Sequence, residues 1–92
     1  MQFEWDDAKA TANRRKHGVA FEEVARFEFD IALFQVDVDV PYGEERIKAY
    51  GFIGRRLHVL VYVERGDAMR VISLRHATRK EKRSYEDDFA NG

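Results

Sequence analysis

Residues 73–85 of this 92-residue chain, SLRHATRKEKRSY, concentrate positive charge in a protein whose formal net charge is only −1. Arg and Lys side chains at this density bind anions well, because each offers several charged hydrogen-bond donors. Within the segment, Thr78 and Glu81 have the T-x-x-E spacing of a capping box, which predicts that a helix begins here. The basic or potentially basic residues of the segment are Arg75, His76, Arg79, Lys80, Lys82 and Arg83.

The charges of this predicted last helix run against its dipole. Arg79 and Lys80 lie in the first turn, where the helix end is itself partly positive, whereas Glu86, Asp87 and Asp88 lie towards the negative end. Each exposed charge placed this way costs roughly 0.3–1 kcal/mol, so local folding does not select the arrangement. A phosphate bound at the helix N-terminus would explain it. The alternative explanation is that these basic residues form a solvated surface, or that they form ion pairs with the acidic run.

A second basic run, RRKH at residues 14–17, ends the first predicted helix. Asp6 is a typical N-cap for that helix, and Gly18 is a typical residue for its C-terminal end. Cations at a helix C-terminus are favoured by the dipole, so a capping role by itself explains Lys16 and His17.

The elements that hold these residues follow from the periodicity of the chain. The predicted first half has a short strand at residues 3–5, the helix from Asp6 to about His17, and a second helix at about 20–28. Alternation then predicts four strands, the first of which lies within 31–40 and ends in a loop at Pro41, Tyr42 and Gly43. The other three cover about 45–53, 56–64 and 69–77, with turns at Gly54–Arg55 and Gly66–Asp67.

This order predicts an α+β fold with two N-terminal helices and one C-terminal helix packed on an antiparallel β-sheet of four to five strands. Residues 1–92 form one domain, as the length indicates. Ser73 and Arg75 share one face of the last strand, and His76 points to the other. Tyr85 and Phe89 give the last helix its core-facing stripe.

Several functional classes are disfavoured by what the sequence lacks. Without cysteine there is neither a disulfide nor a thiolate metal site, which fits a cytoplasmic protein. The acidic start MQFEWDD predicts no signal peptide, and no apolar run approaches the roughly 20 residues of a membrane span. Asp37 and Asp39 have no histidine at ligand spacing, so we expect no metal and no other cofactor. His58, Trp5 and Tyr62 are predicted to be core residues.

Two long segments, FEWDDAKATANRRKHGVAFEEV and EERIKAYGFIGRRLHVLVYVERGDAMRVISLRHATRKEKRSYE, resemble the BrnT family of type II toxins. The anchors are W-D-x-x-K-A, N-x-x-K-H-G-V and F-E-E early in the chain, followed by E-R, R-V-I-S and R-x-A-T-R-x-E-x-x-x-Y. The resemblance implies a RelE-like ribonuclease that cuts RNA and inhibits translation. It also implies a BrnA-like antitoxin with a ribbon-helix-helix part, which neutralises the toxin by direct binding and brings the complex to operator DNA. Ala20 stands where the family often has a serine or aspartate at the start of the second helix, and His76 lies at a position that is not fixed in the family, which argues against a catalytic role for it.

Metal-free RNA cleavage needs a base for the 2′-hydroxyl, cations for the phosphorane and a proton for the leaving oxygen. On the resemblance, Lys16 and His17 are the candidate base and acid, and Arg75 with Arg65 would bind the phosphate. Tyr85 is a candidate proton donor or nucleotide contact, with core packing as its alternative role. The residues expected to bind flanking phosphates are Arg15, Arg79, Lys80 and Arg83.

Two other functions stay open at this point. A catalytically inactive module of the same fold would bind RNA or a protein partner without cutting. A DNA-binding regulator is less well supported, because the sequence has no helix-turn-helix spacing and its basic run lies at a strand–helix junction.

Overall fold

A five-stranded mixed sheet is the framework of the computed structural model, which describes residues 2–37 and 44–91. The α+β class is confirmed. The loop predicted at residues 41–43 and the end of the strand before it lie outside the described residues. In sheet order the strands are β1 (Gln2–Glu4), β5 (Ala68–His76), β4 (Arg56–Arg65), β3 (Arg46–Ile53) and β2 (Leu33–Asp37).

The four strands β2 to β5 form the predicted antiparallel meander, but the prediction of a wholly antiparallel sheet was wrong. β1 joins the far edge of the sheet and runs parallel to β5, with Phe3 opposite Met69. A parallel neighbour requires a crossover connection, and the long chain between β1 and β5 supplies it.

The first helix, α1, spans Asp7–His17 and confirms the predicted ends. The Asp6 side chain accepts a hydrogen bond from the backbone nitrogen of Lys9 at 3.1 Å. Gly18 takes a left-handed conformation, with φ of 73°, and its N–H donates to the carbonyl of Arg14. Glycine suits this position because it has no Cβ to clash.

The second predicted helix, at about 20–28, was wrong in type. The structure forms two 3₁₀ helices there, at Phe21–Arg26 and Phe29–Ile31. Ala20 offers no side-chain acceptor at the N-terminus of the first. The backbone N–H of Glu28 donates to a carbonyl of β3 at 2.9 Å, so a bond to the sheet replaces the next helical bond.

The last helix, α2, spans Arg79–Asn91 and begins at the predicted capping box. The N–H of Thr78 donates to the Glu81 carboxylate at 2.8 Å, and the N–H of Glu81 donates to the Thr78 hydroxyl at 3.1 Å. The predicted apolar stripe is only half buried: Tyr85 is buried, whereas Phe89 is 49% exposed.

The core lies between one face of the sheet and the 3₁₀ segments. Trp5 packs against this core, and Tyr62 and His58 are buried, which confirms their predicted positions. The opposite face carries α2, whose Tyr85 ring meets Phe52 of β3 edge to face. Among the described residues, the largest fully buried side chains are those of Phe21, Val24, Val59, Leu60, Val71 and Leu74. In the part of the chain that the structure describes, no helix is long and apolar enough to cross a membrane.

One buried polar residue, Asn13, fastens α1 to the sheet. Its amide nitrogen donates to the carbonyls of Leu74 at 2.7 Å and of Val19 at 3.0 Å, and its oxygen accepts from the N–H of Leu74 at 3.2 Å. The side chain thus hydrogen-bonds the edge of β5 beyond the end of β1. It also fixes the last turn of α1 next to that strand.

Candidate active site

Arg75 lies on the sheet face that carries α2. Its strand neighbour Leu74 is in the core on the other face, and successive side chains of a strand alternate. Across the sheet, Arg75 is in register with Val59 and then with Tyr50. His76 points to the core-side face, as predicted. The centre of its ring lies 4.6 Å from the centre of the His58 ring.

The guanidinium of Arg75 is held by the first turn of α2. Nη1 and Nη2 donate to the two carboxylate oxygens of Glu81, at 2.8 and 2.9 Å, and Nη1 also donates to the carbonyl of His76 at 3.3 Å. The Arg75 side chain is 26% exposed and that of Glu81 19%. The pKa of Glu81 falls from 4.5 to about 2, chiefly through the bond to Arg75, and this bond raises the pKa of Arg75.

This ion pair leaves part of Arg75 free for a ligand. A guanidinium has five N–H groups, and the bonds to Glu81 and to the His76 carbonyl use three of them. The Nε–H and the second Nη2–H lie side by side and have no partner among the described residues. Two parallel donors on one edge of an arginine suit two oxygens of a phosphate.

Lys16 and His17 reach the same region from the last turn of α1. Together with Ser73 they line a shallow cavity of about 210 Å³ at the edge of β5. Ser73 is two residues before Arg75 on the strand. Partial burial lowers the pKa of His17, and the positive charges of Lys16 and Arg75 lower it further. The structure therefore brings Lys16, His17 and Arg75 together. The lowered pKa favours a neutral His17 imidazole near pH 7.

Arg65 is not part of this group. It lies at the far end of β4, where Nη2 donates to Glu44 at 3.0 Å. Val59, the strand partner of Arg75, is six residues away along β4, which is about 20 Å at the usual rise per residue. The expected pairing of Arg65 with Arg75 on one phosphate therefore has no support in the fold.

Tyr85 is held in the packing between α2 and the rest of the fold. Its hydroxyl donates to the carbonyl of Ile31 at 2.7 Å, and burial raises its pKa. Its ring also contacts Phe52 and Phe89. A hydroxyl proton committed to a backbone carbonyl is poorly placed for transfer to a leaving group, so the packing role explains this residue.

The four predicted phosphate-binding cations are all exposed. Lys80 lines a groove between α2 and the sheet. Arg79 and Arg83 lie one turn apart on a different side of α2, because adjacent helix positions are rotated by about 100°. Arg15 extends from α1 beside Lys16.

Two residues that sequence reasoning left out, Lys48 and Tyr50, lie on the same sheet face as Arg75. The Lys48 ammonium is 5.6 Å from the centre of the Tyr50 ring, and the Tyr50 hydroxyl donates to Gln35 at 3.3 Å. The alternation of ERIKAYGFI does predict that Lys48, Tyr50 and Phe52 share one face of a strand. What the sequence lacked was the knowledge that Arg75 shares this face. Within residues 2–37 and 44–91, no group of three or more potential metal ligands is found.

The family model for the ribonuclease toxin BrnT of type II toxin–antitoxin systems matches residues 5–81. This chain belongs to the BrnT toxin family. It is thereby a ribonuclease toxin of a type II system, with RNA as its target and an antitoxin as its partner. The matched stretch of this BrnT chain includes Lys16, His17, Arg75 and Glu81. A comparison with curated proteins finds no match.

Proposed function

We propose that this BrnT toxin cuts RNA without a metal ion, at the place where α1 meets β5. The observation that carries this proposal is the convergence of Lys16, His17 and Arg75 from two separate elements at the edge of β5. A base of lowered pKa beside two cations is the set of groups that metal-free phosphoryl transfer from RNA requires.

In the proposed reaction the neutral imidazole of His17 takes the proton of the 2′-hydroxyl. The 2′-oxygen then attacks the adjacent phosphorus, so that a 2′-O–P bond forms while the P–O5′ bond breaks. The free Nε–Nη2 edge of Arg75 stabilises the charge on the phosphorane oxygens. Lys16 supplies the proton to the departing 5′-oxygen. The products carry a 2′,3′-cyclic phosphate and a 5′-hydroxyl.

The remaining cations would hold the RNA in position without reading its sequence, as phosphate contacts generally do. Lys80 lines the groove between α2 and the sheet face that carries Arg75. Arg15, Arg79 and Arg83 extend the positive surface outward on the two helices.

Incubation of purified protein with a defined RNA in EDTA tests this function. We expect cleavage by the wild type and its loss in His17→Asn and Arg75→Lys. The lysine keeps a charge opposite Glu81 but lacks the paired donors of the guanidinium. Arg26→Ala is the matched control, since Arg26 is exposed and bonds only to the neighbouring Glu23 among the described residues. Full activity of folded Arg75→Lys would remove Arg75 from the mechanism.

At the level of the cell, we propose that cleavage by this RelE-like domain in the cytoplasm inhibits translation and arrests growth. A BrnA-like antitoxin with a ribbon-helix-helix part would bind the toxin, cover its basic face and attach the complex to operator DNA. A basic surface favours docking of an acidic or extended segment, because complementary charge steers association. A small ribbon-helix-helix gene adjacent to the toxin gene would support this partner.

The second candidate is a BrnT domain that binds RNA or a partner without cutting. The observation that favours it is the two-pronged bond between Arg75 and Glu81, which already places a carboxylate on the guanidinium. In the EDTA experiment this candidate predicts retention of RNA without cleavage.

A further inference from the structure

A groove beside the proposed cleavage site has no assigned role. Its volume is about 680 Å³, within the usual range of small-molecule sites. It separates α2 from the strands β2 and β3. The sheet wall is formed by Leu33, Phe34, Gln35 and Tyr50, and the helix wall by Thr78, Lys80, Glu81, Ser84, Tyr85 and Asp88.

We infer that this groove holds an unpaired nucleobase next to the scissile phosphate. The inference rests on the proposed function, because it needs the phosphate to lie at Arg75. The two places are continuous: Glu81 lines the groove and also binds the Arg75 guanidinium. Tyr50 is two strands from Arg75 in direct register, about 10 Å away. A nucleotide whose phosphate binds Arg75 therefore has the groove within reach of its base.

The lining of the groove has the chemistry that a base requires. Tyr50 gives a half-buried aromatic ring, held in place by its hydroxyl bond to Gln35. Stacking on such a ring is the usual way in which proteins bind unpaired bases. Two hydrogen-bonding groups that suit a base edge line the same groove: the Gln35 amide and the Asp88 carboxylate. Lys80 at the rim is placed for a flanking phosphate.

A protein segment from the antitoxin is the competing occupant. Besides its apolar residues, the groove is lined by Gln35, Lys80, Glu81, Ser84 and Asp88, which makes it more polar than the hydrophobic grooves that bind amphipathic helices. Its ring, its base-edge groups and its junction with Arg75 favour the nucleobase.

Binding of a tetranucleotide with 2′-fluoro riboses, which lacks the attacking hydroxyl, tests the groove separately from catalysis. Each base is removed in turn, and affinity is measured by fluorescence anisotropy. We expect one abasic position to weaken binding roughly 5- to 150-fold, the usual range for loss of one stacked base. Equal affinity of all the abasic forms and the complete tetranucleotide would overturn the inference.

Two variants place the effect in the groove. Ser84→Tyr fills the groove from an exposed helix position, and Ser84→Ala is its control; Tyr50→Leu keeps an apolar wall but removes the ring. We expect Ser84→Tyr and Tyr50→Leu to bind the complete and abasic tetranucleotides equally, whereas Ser84→Ala keeps the difference. If Ser84→Tyr loses the coexpressed antitoxin but keeps the base dependence, a protein segment occupies the groove and the inference is wrong. If the all-ribose RNA is never cut while base dependence persists, the cleavage mechanism fails and the groove assignment stands.

Discussion

Glu81 serves two purposes, and Glu81→Gln should reveal both as a loss of stability near neutral pH. The carboxylate closes the capping box of α2 and receives both terminal nitrogens of Arg75. These bonds lower the pKa of Glu81 from 4.5 to about 2. At about 1.4 kcal/mol per pKa unit, the charged form contributes at most about 3 kcal/mol, and partial solvent screening reduces this to about 2 kcal/mol.

The sign of the pH dependence follows from the lowered pKa. An acid whose pKa falls on folding stabilises the folded state above its unfolded pKa, here 4.5, and loses that contribution as pH falls towards 2. The difference in free energy of unfolding between wild type and Glu81→Gln should therefore be about 2 kcal/mol at pH 7 and shrink towards zero by about pH 2.

Urea unfolding followed by the fluorescence of Trp5, the only tryptophan, measures this difference. Glu86→Gln is the matched control, because it removes the same charge from an exposed position of α2 and should change stability by less than about 0.5 kcal/mol. Equal urea midpoints for wild type and Glu81→Gln at pH 7 would show that the bonds of Glu81 do not stabilise the fold. A difference in free energy of unfolding that does not shrink in acid would show that the charge of Glu81 is not its source.

Three further predictions concern other parts of the fold and site. Asn13→Ala leaves the Leu74 backbone groups unpaired and should cost about 2–4 kcal/mol in urea unfolding; a loss below 1 kcal/mol would contradict this. Tyr85→Phe should lose about 1 kcal/mol of stability but keep its cleavage rate, whereas a large fall in kcat would restore Tyr85 as a proton donor. For the wild type, kcat/KM should rise with pH, with an inflection below 6.5 that reports His17. In Lys16→Met, which also lacks the proposed proton donor, the pKa of His17 measured by NMR titration should rise, and an unmoved pKa would contradict the electrostatic cause.

Features that depend on near neighbours in the chain were predictable. The capping box at Thr78 and Glu81, the glycine at the end of α1 and the hairpins of the meander each involve residues a few positions apart. Such patterns constrain the backbone directly, whatever the remainder of the fold does. The same reasoning put Arg75 and His76 on opposite faces.

Features that depend on distant contacts were not predictable. The parallel pairing of β1 with β5 joins segments more than 60 residues apart. The bonds of Asn13 to Leu74 cross a separation of 61 residues, and nothing near Asn13 signals them. The N–H of Glu28, between the two 3₁₀ segments, donates to Phe52 of β3, a residue 24 positions later in the chain.

In the proposed reaction, the 2′-oxygen of RNA is the nucleophile at the junction of α1 and β5. The most direct measurement is the end-group chemistry of the products formed in EDTA, with a parallel substrate that lacks the 2′-hydroxyl at the cut position. We expect products with a 2′,3′-cyclic phosphate and a 5′-hydroxyl, and no cleavage of the deoxy substrate. Cleavage of the deoxy substrate, or products with 5′-phosphate ends, would contradict it.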